Sequence, residues 1–135
     1  MQSFPINWWA ILVAVIAKQA LGALWYSPVV FGPAWCELAG VSEQEMKAGL
    51  VKALIPDVVA AFVMAFVLVH AVHYAGAQSL GQGAAVGFFN WLGFILVVQL
   101  DDWAAAKRPL GFLAINAGAN LVSLLIMGAI LGATF

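Results

Sequence analysis

At 135 residues the chain has room for one domain. It is 65% hydrophobic and 8% charged, with a mean hydropathy of +1.03, against roughly 25% charged residues in a soluble domain. So short a chain has too little interior to hide that much apolar surface from water, so hydrocarbon must be its solvent, and a net charge of −1 gives nucleic acid no reason to bind.

Four apolar runs, at about 8–26, 56–74, 83–100 and 110–134, have roughly the 17–25 residues that carry an α-helix across a bilayer core. Alternation of period two, the mark of a membrane β-barrel, is absent. The expected fold class is therefore all-α: a single transmembrane domain, 1–135, built as a four-helix bundle. No basic n-region precedes the first run, and Lys18-Gln19 would interrupt an h-region, so a cleaved signal peptide is not expected.

The first span opens on Phe4, Trp8 and Trp9, which suit an aromatic belt at the membrane surface. Within it Ala10, Ala14, Lys18 and Gly22 recur every four residues, a stripe rich in small residues that lets another helix come close. Pro28 stops this helix, because proline lacks a donor and drives the preceding residue out of the α region. Trp25, Tyr26, Trp35 and Trp103 are expected to belong to the interfacial belt rather than to a ligand cage. A short interfacial helix at about 33–39 follows from Pro33 in the first turn and Gly40 just past the end. Ser42 with Glu45 fits a capping box, and Val41 with Met46 a hydrophobic staple. They start a second interfacial helix, about 43–54, which Pro56 breaks or bends into the second span. The single Cys36 has neither a disulfide partner nor metal-site company and reads as a packing residue.

His70 and His73 share a helix face near the end of the second span, as metal pairs do. Every acid lies in the other half of the bilayer, so they read as interfacial histidines. After a Gly/Gln/Ser turn at 76–83, the third span sets Gly83, Gly87, Asn90, Phe94 and Asp101 within about 40° of one line. Asp101-Asp102-Trp103 closes it, the acids reading as caps of the Trp103–Lys107 turn that pair with Lys107 or Arg108, in preference to a paired acid site. Pro109 opens the fourth span, with Asn116, Asn120, Ser123 and Met127 on one face. The GxxxG pairs Gly83–Gly87 and Gly128–Gly132 suit contacts within the bundle or between subunits, and four short helices are expected to assemble as a homodimer or larger.

Lys47, Lys52, Lys107 and Arg108 all fall on the connectors 28–54 and 101–109, which share one side. The positive-inside rule puts those connectors in the cytoplasm and both termini outside.

Lys18 is the most expensive residue: ten residues past Trp8 it lies about 15 Å into the bilayer, where its charge costs on the order of 2.5–3.5 kcal/mol. Asp57 is the nearest acid by depth, within reach of a snorkelling lysine stem. Asn90, Asn116 and Asn120 come to a similar depth. Two readings follow. Lys18, Asp57, Asn90, Asn116 and Asn120 form an intramembrane polar site facing a cavity for a small solute, or they are an ion pair and interhelical hydrogen bonds that only fix packing, at about 0.6–2 kcal/mol per bond. Nothing matches an acid–base pair, a nucleophile triad, a phosphate loop or a zinc motif, so no catalytic residue, metal or cofactor is expected, and no enzyme activity.

Gly22-Ala23-Leu24-Trp25-Tyr26-Ser27-Pro28, then Phe31-Gly32, then Trp35 resembles the signature of a family of small bacterial four-span membrane proteins, catalogued as domain of unknown function 1761. Ala39-Gly40-Val41-Ser42, Asn90-Trp91-Leu92-Gly93-Phe94 and Ile115-Asn116-Ala117-Gly118 support it. The resemblance covers nearly the whole chain and implies a four-helix protein of the bacterial inner membrane. It brings no activity, cofactor or catalytic residue, and Lys18 is not part of its pattern. The functional expectation is a small oligomeric transporter or channel-like protein with a mid-membrane polar cavity. The alternatives are a non-transporting structural or accessory protein and, less favoured, a membrane enzyme with a lipophilic substrate and a pocket open to lipid near the Trp25 to Trp35 rim.

Overall fold

The computed structural model describes residues 3–134, and among them there is helix and no strand. The elements are α1 (Trp8–Trp25), α2 (Gly32–Ala39), α3 (Glu43–Tyr74), α4 (Leu80–Asn90), a π-helical segment (Trp91–Leu96), α5 (Val97–Ala106) and α6 (Leu110–Ala133). α4, the π segment and α5 run on as one helix, Leu80–Ala106, so four helices are long and apolar enough to cross a membrane. The chain is an all-α, multi-pass membrane protein.

Local chemistry explains the ends. Asn7 caps α1, its side-chain oxygen accepting from Ala10 N at 3.2 Å. Past Trp25 the backbone closes a tight turn, with Phe31 N donating to Trp25 O at 2.9 Å and Gly32 N to Ser27 O at 3.0 Å. A Cβ on Gly32 would collide with the carbonyl oxygens of Tyr26 and Ser27, so the turn requires glycine. α2 ends at Gly40, whose φ of 72° is left-handed. Half of the capping box at α3 is present: Ser42 Oγ accepts from Glu45 N at 3.1 Å, while Glu45 Oε1 accepts from the Ser42 hydroxyl at 3.2 Å rather than from its backbone N–H.

Two elements differ from the sequence expectation. α3 is helical straight through Pro56, which sits inside it. Proline removes one hydrogen bond there, but both flanks are held: Met46 is buried with Cys36 of α2, and Ala61, Ala65, Leu68, Val69 and Val72 are buried in the bundle. The third span also runs past Asp101 and Asp102 to Ala106, and both acids are exposed helical residues rather than caps. Lys107 ends it with a φ of 55°. Among the described residues neither acid forms an ion pair. Arg108 donates to Ala39 O at 2.9 Å instead and lies 5.4 Å over the Phe112 ring.

The core gathers small and branched residues of α1, α3 and α6, among them Ala14, Ala65, Val72 and Met127, none with any exposed surface. α4 lies still closer on α6. A Cβ on Gly83 would strike Gly128 O, one on Gly87 would strike Leu124 O, and one on Gly132 would strike Ser79 O. The two GxxxG pairs therefore face each other within one chain, backbone against backbone. Val13, Ile16, Val63, Val67, Phe89 and Phe94 point outward, as helices in lipid require.

Candidate functional site

Indole N–H and phenol O–H groups inside a bilayer need acceptors, because hydrocarbon supplies none. Four such donors converge on three consecutive residues of α6. Trp25 Nε1 donates to Ile115 O at 3.0 Å, Tyr26 OH to Asn116 Oδ1 at 2.7 Å, Trp35 Nε1 to the same Oδ1 at 3.1 Å, and Trp91 Nε1 to Ala117 O at 2.9 Å. The two carbonyls lie inside the helix, where each oxygen has a second lone pair free for such a donor. Asn116 takes two donors on one oxygen.

Trp25 and Tyr26, at the end of α1, and Trp35 of α2 thus turn their polar edges inward onto α6. The rest of the signature builds the turn that aims them. Ser27 Oγ donates to Leu24 O at 2.7 Å, Phe31 packs on Trp25 with centroids 4.8 Å apart, Gly32 admits the close backbone approach, and Pro28 lies in the turn itself. Gly118 leaves space for the Trp25 ring, which a Cβ there would meet at 3.0 Å. Burial pushes the Tyr26 phenol, one residue past the end of α1, up to about 12, so it stays a donor. Trp103 Nε1 donates to Pro109 O at 3.0 Å and ties the end of the third span to the start of the fourth.

The five polar positions separate into smaller groups. Lys18 Nζ lies 3.5 Å from Asp57 Oδ1, with the lysine side chain 15% exposed and the aspartate 50%. Beside Lys18, Gln19 Nε2 is buried without a partner. Asn116 belongs to the aromatic clamp, six residues into α6. Asn90 Nδ2 returns to Val86 O on its own helix at 2.8 Å. Asn120 is half-buried and its side chain makes no hydrogen bond among the described residues. Among those residues the polar contact joining members of the five is the Lys18–Asp57 pair.

Two cavities lie at opposite ends of the bundle. One, of about 180 Å³, opens at the end carrying α2 and the α5–α6 turn, and is lined by Gln99, Asp102 and Trp103 of α5 and Phe112 and Asn116 of α6. Gln99 Oε1 is buried there without a partner. The other, of about 350 Å³, lies at the end carrying the termini and is lined by Phe4, Asn7, Val69, His73, Leu131 and Thr134. Along α6, the helix that lines both, Asn120 falls between Asn116 at the smaller cavity and Leu131 at the larger.

His73 stacks on Phe4 at 3.7 Å, and His70 Nδ1 lies 2.7 Å from Phe66 O. Among the described residues no three His, Cys, Asp or Glu side chains are grouped to hold a metal. Cys36 Sγ lies 3.4 Å from Met46 Sδ in the α2–α3 contact. The sequence reading passed over Gln99, although a polar side chain inside an apolar run is the same signal that marked Lys18. It also missed the Trp91 donor, because an indole at mid-span looks like any other large apolar residue.

Residues 9–132 match the family described as "Protein of unknown function (DUF1761)", and the chain belongs to it. No curated protein and no solved structure matches the chain.

Proposed function

We propose that this member of the DUF1761 family is a small oligomeric transporter or channel-like protein of the bacterial inner membrane, passing a small solute between two vestibules. One observation carries the reading: cavities of about 180 and 350 Å³ lie at opposite ends of the same bundle, both walled by α6, with Asn120 between them along that helix. A bundle that only fixed its own packing would have no need of a hollow at each end, nor of the buried, unpartnered Gln19 Nε2 and Gln99 Oε1. Lys18, Asp57, Asn90 and Asn120 would then line the path that opens when the spans shift, with Asn116 at its inner mouth. Basic connectors put the smaller cavity on the cytoplasmic side and both termini outside. The half-exposed Asp57 would be shielded from lipid by a second copy.

Uptake of radiolabelled choline, alanine and lactate into proteoliposomes tests this. At least one should cross with the wild type, and Lys18→Leu and Asn90→Leu should each slow it by about tenfold, the effect of 1.4 kcal/mol on one step. No uptake of any of them, or equal uptake by all three proteins, contradicts the reading. A second reading, a non-transporting structural or accessory protein, is favoured by the aromatic clamp, in which polar groups serve only to join helices. It predicts that the same substitutions alter melting temperature or oligomer size and leave flux at the level of empty liposomes.

A further inference from the structure

We infer that the smaller cavity binds an organic ammonium group, held between Asp102, Gln99 and the rings of Trp103 and Phe112. The inference rests on the vestibule reading above and adds the ligand class. The cavity offers a cation one carboxylate and two aromatic rings, and no basic side chain lines it. Asp102 brings a carboxylate that has no ion-pair partner among the described residues. Gln99 lies on the lining with its Oε1 buried and unbonded, so the amide turns before that oxygen meets a ligand. Trp103 Nε1 already donates to Pro109 O, and Asn116 Oδ1 already accepts from Tyr26 and Trp35, so neither of these atoms is left for a ligand.

Two aromatic rings complete the wall, and a cation over such a ring is attracted by its quadrupole. Phe112 already shows this on one side, with the Arg108 guanidinium 5.4 Å from its centroid. Arg108 does not fill the cavity, since its N–H is directed to Ala39 O. A hard metal ion fits poorly, because Ca²⁺ or Mg²⁺ takes about six or more oxygens and the lining supplies a single carboxylate and one free carbonyl. At about 30 Å³ for each water, a hollow of about 180 Å³ suits a ligand the size of choline rather than a polycyclic cation.

The source can be a free small amine in the cytosol or the choline headgroup of a lipid, since the recognising chemistry is the same. Calorimetric titration of the full-length protein in phosphatidylglycerol nanodiscs, with choline and with its uncharged isostere 3,3-dimethylbutan-1-ol, tests the assignment. Choline should bind saturably and the isostere at least about tenfold more weakly. Asp102→Asn and Trp103→Leu should each weaken choline by about tenfold or more. Asp102 is exposed and the amide is isosteric, so that variant keeps the fold even if Trp103→Leu does not. Choline binding that disappears in phosphatidylcholine nanodiscs assigns the site to the headgroup, and binding that persists assigns it to the free amine. Equal binding of the isostere, unchanged affinity in Asp102→Asn, or no choline binding overturns the ammonium site. If alanine or lactate still crosses liposomes, the vestibule reading survives that failure. If choline binds but no solute crosses, the transport reading falls and the ammonium site stands.

Discussion

Asn116 shows how one side chain can fix three segments. Its carbonyl oxygen holds both Tyr26 and Trp35, so removing it leaves two donors without a partner in a medium that offers none. Asn116→Leu should therefore cost about 1–3 kcal/mol, measured by thermal unfolding in one detergent. Tyr26→Phe removes one donor and leaves Trp35 bonded, so its cost should be nearer 0.6 kcal/mol, about the average for interhelical hydrogen bonds in membranes. Equal effects would mean that Asn116 acts through its shape and not through its oxygen. The ion pair predicts a different asymmetry. Asp57 is half-exposed, whereas Lys18 is 15% exposed and lies deeper. Asp57→Asn strands a lysine charge among apolar neighbours, and Lys18→Leu strands a carboxylate that already lies half outside the bundle. The first should lower the melting temperature more than the second, and the reverse order would place the aspartate at the greater depth.

At the level of elements, the α4–α6 seam is where substitution should matter most. Gly83→Ala places a methyl group against Gly128 O and should cost about 1–3 kcal/mol of overpacking. Gly49→Ala, in an exposed turn of α3 with nothing within 4 Å, should instead stabilise by about 0.5–1 kcal/mol. Chemical denaturation of the two variants side by side checks the contrast, and equal tolerance would dissolve the seam. The π-helical segment Trp91–Leu96 is the other distinctive element, a place where spans commonly carry function. It holds the Trp91 donor against Ala117, and α5, which carries the lining of the smaller cavity, follows it directly. Periodicity cannot announce it, since one residue of extra register leaves composition unchanged. The spans themselves were legible because hydrocarbon imposes both length and apolarity. Their ends were less so: Asp101 and Asp102 end the apolar run but not the helix, and Pro56 does not interrupt α3.

At the scale of the whole molecule, single-chain patterning shows what faces lipid but not which neighbour covers each polar edge. For that reason the glycine pairs could be found in the sequence while their partner could not, and nothing in the sequence showed that the indoles of Trp25 and Trp35 fasten to α6. The cavities lay beyond reach for the same reason, being defined by where four helices fail to touch. Four crossings with a hollow at either end make a geometric claim that can be checked without knowing the solute. Asn7 precedes the first span and Ala106 ends the third, so they must lie on opposite faces of the bilayer. In a Cys36→Ala background, Asn7→Cys and Ala106→Cys would be treated with a membrane-impermeant maleimide, added to intact cells and to inverted vesicles. Each site should react from one side only, and the two from opposite sides, with Asn7→Cys reacting in intact cells if the connectors are cytoplasmic. Reaction of both sites from the same side would contradict the four-span architecture and the two-vestibule path together.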